Sequence, residues 1–195
     1  MPIEVGSMIS GSGMKEALMT FRHFVTRYLS GSAAKDFWTL QNAISLEGSI
    51  AYLAQHPLVT QMPELGSDID LQPSLCGSLG PTHVYLWIGT GGTRTPLHFD
   101  SYSNIFVQLV GVKYIRIYSA DETPRLYVSK RESFGLQGNM SDVDCEHENF
   151  DCFPLARDAK FQEVILFPGD ALHIPSRAWH YVRSLTTSIS VNFWF

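Results

Sequence analysis

Long basic runs are missing from this chain. No stretch is rich in Lys and Arg, and the net charge is −5. The electrostatic footprint of a nucleic-acid-binding protein is therefore absent, and direct nucleic-acid binding is not expected. Cysteine is scarce: Cys76, Cys145 and Cys152 are odd in number and widely spaced. That excludes a disulfide framework and favours reduced thiols inside the cell, in the nucleus or cytoplasm. No apolar run approaches the roughly 18 residues of a membrane span, so no membrane partner is expected. The N-terminal stretch has no basic segment followed by an apolar block, so no secretory signal is expected and the Asn139-Met140-Ser141 sequon carries no weight. Internal repeats are also lacking. Charged residues make up only 17%, but hydrophobic residues reach 45%, which excludes a disordered chain.

What is present fits one globular domain of 195 residues, long enough to bury a core without cross-links. Leu18, Phe21, Val25 and Tyr28 recur at helical spacing and predict a helix over Lys15–Leu29, with Gly31 as its stop. Residues 31–49 lack periodicity apart from Phe37 and Trp38 and read as a connection. Tyr52–Gln55 reads as a short strand closed by His56-Pro57. Residues 60–82 read as loop with a helical turn at Met62–Leu65.

From residue 83 the pattern becomes short strands between turn signals. The expected strands are Val84–Ile88, Thr95–Phe99, Ile105–Val110, Lys113–Tyr118, Glu163–Phe167, Ala171–Ile174, His180–Arg183 and Ser188–Trp194. Gly111 predicts a hairpin between the third and fourth. Pro168-Gly169 fits a type II turn, whose second central residue needs a positive φ. Eight such strands predict a mainly β protein, a double-sheet jelly roll or small barrel. The expected organisation is a helical and loop segment over 1–82 flanking a β core over 83–195, with an insertion at about 119–162. Within that insertion, residues 142–151 carry five acidic side chains and no Lys or Arg and read as a solvated surface loop.

His98 and Asp100 lie two apart, so on a strand their side chains leave the same face. A His-x-Asp pair alone arises readily by chance, and a hydrogen-bonded structural histidine is the plain alternative. His180 follows Trp179 beyond the Phe167-Pro168-Gly169-Asp170 turn and opens another strand. Two imidazoles and a carboxylate on one face of a metal leave the opposite positions open, as in the facial triad of non-haem Fe(II) oxygenases. Lys113 follows a strand and a glycine turn and alternates with Ile115 and Ile117. Its side chain should therefore face the core and not solvent.

Several blocks together resemble the JmjC-domain Fe(II)/2-oxoglutarate oxygenases, in particular the small JmjC hydroxylases. They are Pro2–Gly6 (PIEVG), Tyr52–His56 (YLAQH), Thr95–Asp100 (TPLHFD), Asn104–Tyr118 with Lys113–Tyr118 (KYIRIY), Leu166–Asp170 (LFPGD), Ile174-Pro175, Trp179–Arg183 (WHYVR) and Ser188–Trp194 (SISVNFW). The resemblance runs nearly end to end and implies a double-stranded β-helix, the cupin-like barrel, with flanking N-terminal helices. It implies Fe(II) held by His98, Asp100 and His180, with 2-oxoglutarate and dioxygen as cosubstrates. Lys113 would pair with the distal carboxylate of 2-oxoglutarate, and Tyr52, Thr95 and Asn104 would donate hydrogen bonds to it. Trp87 and Trp194 match aromatic positions near the family's active site, although core packing explains them equally. Glu4 and Gln55 match positions near the substrate side chain, where a carboxylate would suit a guanidinium. The resemblance also implies further family sequence upstream of the Pro2–Gly6 block and loss of a flanking strand. His173 is read as a barrel-strand residue and not as a ligand. Cys145, His147 and Cys152 do not have the spacing of structural zinc.

The activity this implies is hydroxylation of a protein or peptide side chain, with a cationic arginine preferred and release of succinate and carbon dioxide. The first alternative is histone N-methyl-lysine demethylation by the same chemistry. A second is a barrel that binds its partner without turnover.

Overall fold

The computed structural model describes residues 1–6, 15–29, 50–71, 73–130, 138–147 and 150–195. Among these residues, eleven strands form two antiparallel sheets. In chain order they are β1 (Pro2–Gly6), β2 (Lys15–Leu18), β3 (Ile50–His56), β4 (His83–Gly89), β5 (Arg94–Phe99), β6 (Asn104–Val110), β7 (Lys113–Tyr118), β8 (Phe161–Leu166), β9 (Ala171–Ile174), β10 (Trp179–Ser184) and β11 (Ser188–Trp194). The larger sheet has the order β2-β1-β3-β4-β11-β6-β9, and the smaller has the order β5-β10-β7-β8. From β4 onward successive strands weave between the sheets, except that β7 and β8 pair side by side in the smaller one, giving a mostly β, jelly-roll, cupin-like fold. The eight strands expected after residue 83 are all present, as β4 to β11.

Alternation along the strands sorts side chains into three layers. Leu86, Ile88, Ile105, Val191 and Phe193 leave the outer face of the larger sheet. There they pack with Ile3, Phe24, Leu53, Leu58 and Val59 from the N-terminal region. Between the sheets, Phe106, Ile115, Leu166, Ile174, Ala178 and Val182 form the inner core. Beyond the smaller sheet, Leu97, Tyr118, Trp179 and Tyr181 are covered by Leu126, Cys145 and Ala159 of the insertion. Each large apolar side chain so buried contributes roughly 1.5–3 kcal/mol.

Three local expectations need correction. Lys15–Leu29 is not one helix. Lys15–Leu18 is strand β2, in register with Pro2–Val5, and a single helical turn (α1, Phe21–Phe24) capped by Thr20 then runs into a π-helical turn at Val25–Leu29. The helical spacing of Leu18, Phe21 and Val25 is real, but backbone pairing with β1 satisfies the first four residues instead. Gly31, Phe37 and Trp38 lie outside the described residues. Gly111 does not close a hairpin either, because β6 lies in the larger sheet and β7 in the smaller. Gly111-Val112 is a crossing between sheets, and its carbonyl at Val112 accepts the Leu185 N–H at 2.8 Å from the neighbouring crossing. The acidic segment 142–151 is in part docked on the barrel through Glu146. Pro168-Gly169 does form the expected turn: Gly169 has φ 96°, and the Asp170 N–H donates to the Phe167 carbonyl at 3.0 Å.

Candidate metal centre

Strands β5 and β10 pair so that His98 and His180 are direct cross-strand neighbours. Their ring centroids are 4.2 Å apart. Asp100 follows the end of β5 and reaches both rings: its Oδ1 lies 3.9 Å from His98 Nε2, and its Oδ2 lies 3.6 Å from His180 Nε2. One ligand atom from each residue falls within 4.8 Å of the others. That is compact enough to hold a metal ion, and no other such group occurs among the described residues.

Both histidines are oriented by their own strand. His98 Nδ1 lies 2.8 Å from the Pro96 carbonyl, and His180 Nδ1 lies 3.1 Å from the Ala178 carbonyl. A carbonyl only accepts, so each Nδ1 donates and each Nε2 is left facing the cluster. Burial, reinforced by the adjacent His98 ring, pushes His180 down to about 3. It is thus neutral, as metal ligation requires. Burial also raises the Asp100 carboxyl, with His98 acting in the opposite direction.

Deeper between the sheets sits an unpartnered cation. Lys113 is 1% exposed, and its Nζ has no hydrogen-bond partner among the described residues. It lies 5.2 Å from the Phe106 ring centroid and 5.7 Å from that of Tyr52. Burial brings it down to about 7. Asn104, also buried, has both amide atoms unpaired among the described residues. Thr95 is a side-chain hydrogen-bond partner of Tyr52, whose hydroxyl burial pushes further toward the neutral form. An uncompensated ammonium and an unpaired amide inside one barrel are costly unless a ligand rich in anionic oxygen completes them.

The remaining expected residues lie on β1, β3, β4 and β11. Trp87 is half-buried and its ring centroid is 5.7 Å from that of Tyr52. Trp194 pairs in register with Asn104. Both indole N–H groups are buried and unpaired among the described residues. Glu4 is exposed on β1, in register with Tyr52. Gln55 is exposed with φ 46°, at a register shift between β3 and β4. Irregularities of this kind re-aim side chains near functional sites. His173 faces outward and stacks on Phe195, away from the cluster.

Two features were missed from sequence. Asn192 lies two residues before Trp194, buried with its Oδ1 unpaired; its signal was the polar alternation Ser188, Ser190, Asn192 on β11. The second is the insertion. Its residues Asn139 to Ser141 pair along the free edge of β5: the Phe99 N–H donates to the Asn139 carbonyl at 3.0 Å, and the Ser141 N–H donates to the Leu97 carbonyl at 2.9 Å. The strand carrying His98 is thereby held on both edges. The acidic segment is also not wholly solvated. Glu146 is only 14% exposed and pairs with Arg94 at 2.8 Å and Arg183 at 3.2 Å, and it accepts a hydrogen bond from the Tyr181 hydroxyl. Fixed basic side chains on β5 and β10 explain why a loop rich in acids docks there.

An antiparallel double-stranded β-helix with two histidines and an aspartate gathered in one cluster defines a cupin-type barrel. The profile described as "Cupin-like domain" matches residues 4–195, and the chain belongs to that family, among its JmjC members. Lysine-specific demethylase 8 of Danio rerio is 39% identical over 100% of this chain and 45% of its own length. JmjC domain-containing protein F of Dictyostelium discoideum is 39% identical over 92% of this chain and 42% of its own. Jumonji C domain-containing protein 5 of Drosophila melanogaster is 33% identical over 100% of this chain and 46% of its own. The chain thus spans less than half the length of these curated relatives.

Proposed function

We propose that this chain is an Fe(II)- and 2-oxoglutarate-dependent dioxygenase that hydroxylates a protein side chain, arginine preferred. The observation that carries the reading is the buried, unpartnered Lys113 ammonium in the same barrel as the His98, Asp100 and His180 cluster. A His, Asp, His donor set suits Fe(II), and a dicarboxylate with one end at the metal would meet Lys113 with the other. Fe(II), when bound, supplies the oxidative decarboxylation of 2-oxoglutarate and the oxidising power for C–H hydroxylation. The overall balance is one substrate C–H, one 2-oxoglutarate and one dioxygen giving one C–OH, one succinate and one carbon dioxide.

In this reading His98, Asp100 and His180 hold the metal through neutral Nε2 atoms and a carboxylate. Lys113 neutralises the distal carboxylate. Tyr52, Thr95 and Asn104 orient the cosubstrate, with Asn192 a further candidate. Glu4 and Gln55 address the cationic end of the substrate while Trp87 and Trp194 flank it. The names of the relatives support a second reading, demethylation of N-methyl-lysine.

The test loads anaerobically purified protein with Fe(II), then supplies 2-oxoglutarate, oxygen and peptides containing arginine or methylated lysine. Peptide-stimulated succinate with one oxygen added to an arginine peptide is the expected result. Formaldehyde released from methyl-lysine peptides would favour demethylation. Tight peptide binding without any succinate would favour a binding module.

A further inference from the structure

Strand β1 carries Glu4 between two partners. Glu4 stands directly opposite Tyr52 of β3 on one side and directly opposite Glu16 of β2 on the other. Directly opposed residues of an antiparallel ladder put their side chains on one face, with Cβ atoms about 4.5–5.5 Å apart. That face is the inner one, because the Tyr52 ring lies 5.7 Å from Lys113 Nζ between the sheets. Glu4 and Glu16 therefore continue outward the row that starts at Tyr52. Lys15, next to Glu16 in the chain, opposes Val5 and so takes the other face.

Two carboxylates opposed across a ladder repel each other. No described residue gives either one a hydrogen bond or an ion pair, and both are exposed. Partial burial, and after it the Glu16 charge, raise the Glu4 carboxyl. Glu4 is felt in turn at Tyr52, whose hydroxyl is pushed toward the neutral form chiefly by burial, with the Thr95 hydrogen bond opposing and Glu4 assisting. Electrostatic contact thus runs from Glu16 through Glu4 to the interior, where Lys113 and Asn104 lack partners among the described residues. A cation with N–H donors on more than one edge would relieve the repulsion. Guanidinium carries five N–H donors in a planar fork and can meet a carboxylate on each of two edges, whereas a trimethylammonium has no N–H at all.

We infer that Glu16 is the second carboxylate of a clamp with Glu4 that receives the guanidinium of a substrate arginine. The inference rests on the cationic-substrate reading above and extends it. It makes Glu16 a specificity residue: it favours arginine over both a neutral isostere and trimethyl-lysine, and takes no part in holding the metal or 2-oxoglutarate.

The test uses protein loaded with Mn(II) and 2-oxoglutarate. Binding is measured by fluorescence anisotropy with labelled Gly/Ala peptides carrying one central arginine, citrulline or trimethyl-lysine. Wild-type protein should prefer the arginine peptide to both others. Glu16→Gln should lose about three- to fivefold of affinity for it and none for the citrulline peptide, and should narrow the gap to trimethyl-lysine. Glu16→Lys should lose more than Glu16→Gln. The Tm of ligand-free Glu16→Gln should stay level or rise, because a like-charge pair has been removed. Its affinities for Mn(II) and 2-oxoglutarate should match the wild type. Loss of arginine binding in Glu4→Gln with none in Glu16→Gln would overturn the role of Glu16 and leave the cationic-substrate reading standing. A Tm that falls together with Mn(II) affinity in Glu16→Gln would make Glu16 a structural residue and overturn the inference. Equal binding of the arginine and citrulline peptides by wild-type protein would overturn the reading and the inference with it.

Discussion

His98 and His180 face each other directly across the β5–β10 ladder, with ring centroids 4.2 Å apart. Each ring is turned by a carbonyl two residues before it on its own strand. Two adjacent imidazoles turning their Nε2 atoms toward one carboxylate gain little from one another without a cation between them. His98→Ala should therefore lower divalent-metal affinity by about 100-fold or more, since even partners of metal ligands are worth 10- to 100-fold. Calorimetric titration with Mn(II), and the loss of the rise in Tm that Mn(II) gives the wild type, check this. Unchanged affinity in the variant would remove the site assignment.

Lys113 makes a prediction with a definite sign. Its folded pKa is near 7 against an ordinary value near 10.5. Between those values the unfolded chain binds the extra proton, so the stability of the ligand-free protein should rise with pH from about 7 toward about 10.5. Lys113→Met should flatten that rise, as seen in urea midpoints across the range. The 2-oxoglutarate complex reverses the preference because its carboxylate favours the ammonium. Affinity for 2-oxoglutarate should fall as pH climbs above about 7, with proton uptake on binding near pH 8. Lys113→Ala should weaken 2-oxoglutarate while leaving Mn(II) binding intact. A pH-independent affinity would mean that Lys113 does not meet the cosubstrate.

Glu146 ties the insertion to the barrel through Arg94, Arg183 and the Tyr181 hydroxyl. Both arginines are partly exposed, so solvent discounts their ion pairs; the buried Tyr181 hydroxyl loses its partner outright. Glu146→Ala should cost about 1–2 kcal/mol of stability. It should also speed proteolysis between residues 138 and 147, the stretch that covers the edge of β5. Unchanged cleavage would show that the bridges at 139–141 hold the insertion alone.

The sequence carried the strand pattern of the core because alternation and turn residues are local signals. His98, Asp100 and Lys113 could be placed on inward faces from parity along their strands. What could not be read locally was partnership. Lys15–Leu18 has helical spacing, yet its backbone pairs with Pro2–Val5. Gly111 looks like a hairpin residue, and only the sheet assignment of its two neighbours reveals a crossing. Glu146 is one of five acids in a short run, and nothing in the run marks it as the one facing Arg94. Asn192 follows Ser188 and Ser190 on one face of β11, and a buried polar row of that kind is shared by many purely structural strands.

Gly111 gives the sharpest stability test because two costs coincide there. Its φ is 75°, which penalises any side chain by about 1–2 kcal/mol. A Cβ would also stand 2.0 Å from the Thr187 carbonyl oxygen and 2.7 Å from both the Ser188 and the Thr186 hydroxyl oxygens. That carbonyl cannot retreat freely. The Thr186 side chain accepts the Val112 N–H at 2.9 Å, and the Val112 carbonyl accepts the Leu185 N–H at 2.8 Å. Gly111→Ala should therefore cost about 3 kcal/mol or more once overpacking is added. Gly169→Ala isolates the first cost, because Gly169 has φ 96° and nothing within 4 Å of its ideal Cβ; it should lose only about 1–2 kcal/mol. Urea denaturation of the two variants gives the difference. Lys113 lies two residues beyond Gly111, so the same displacement should weaken 2-oxoglutarate more than Mn(II). Equal losses in the two variants would mean that the crossings yield, and that the packed corner does not fix Lys113.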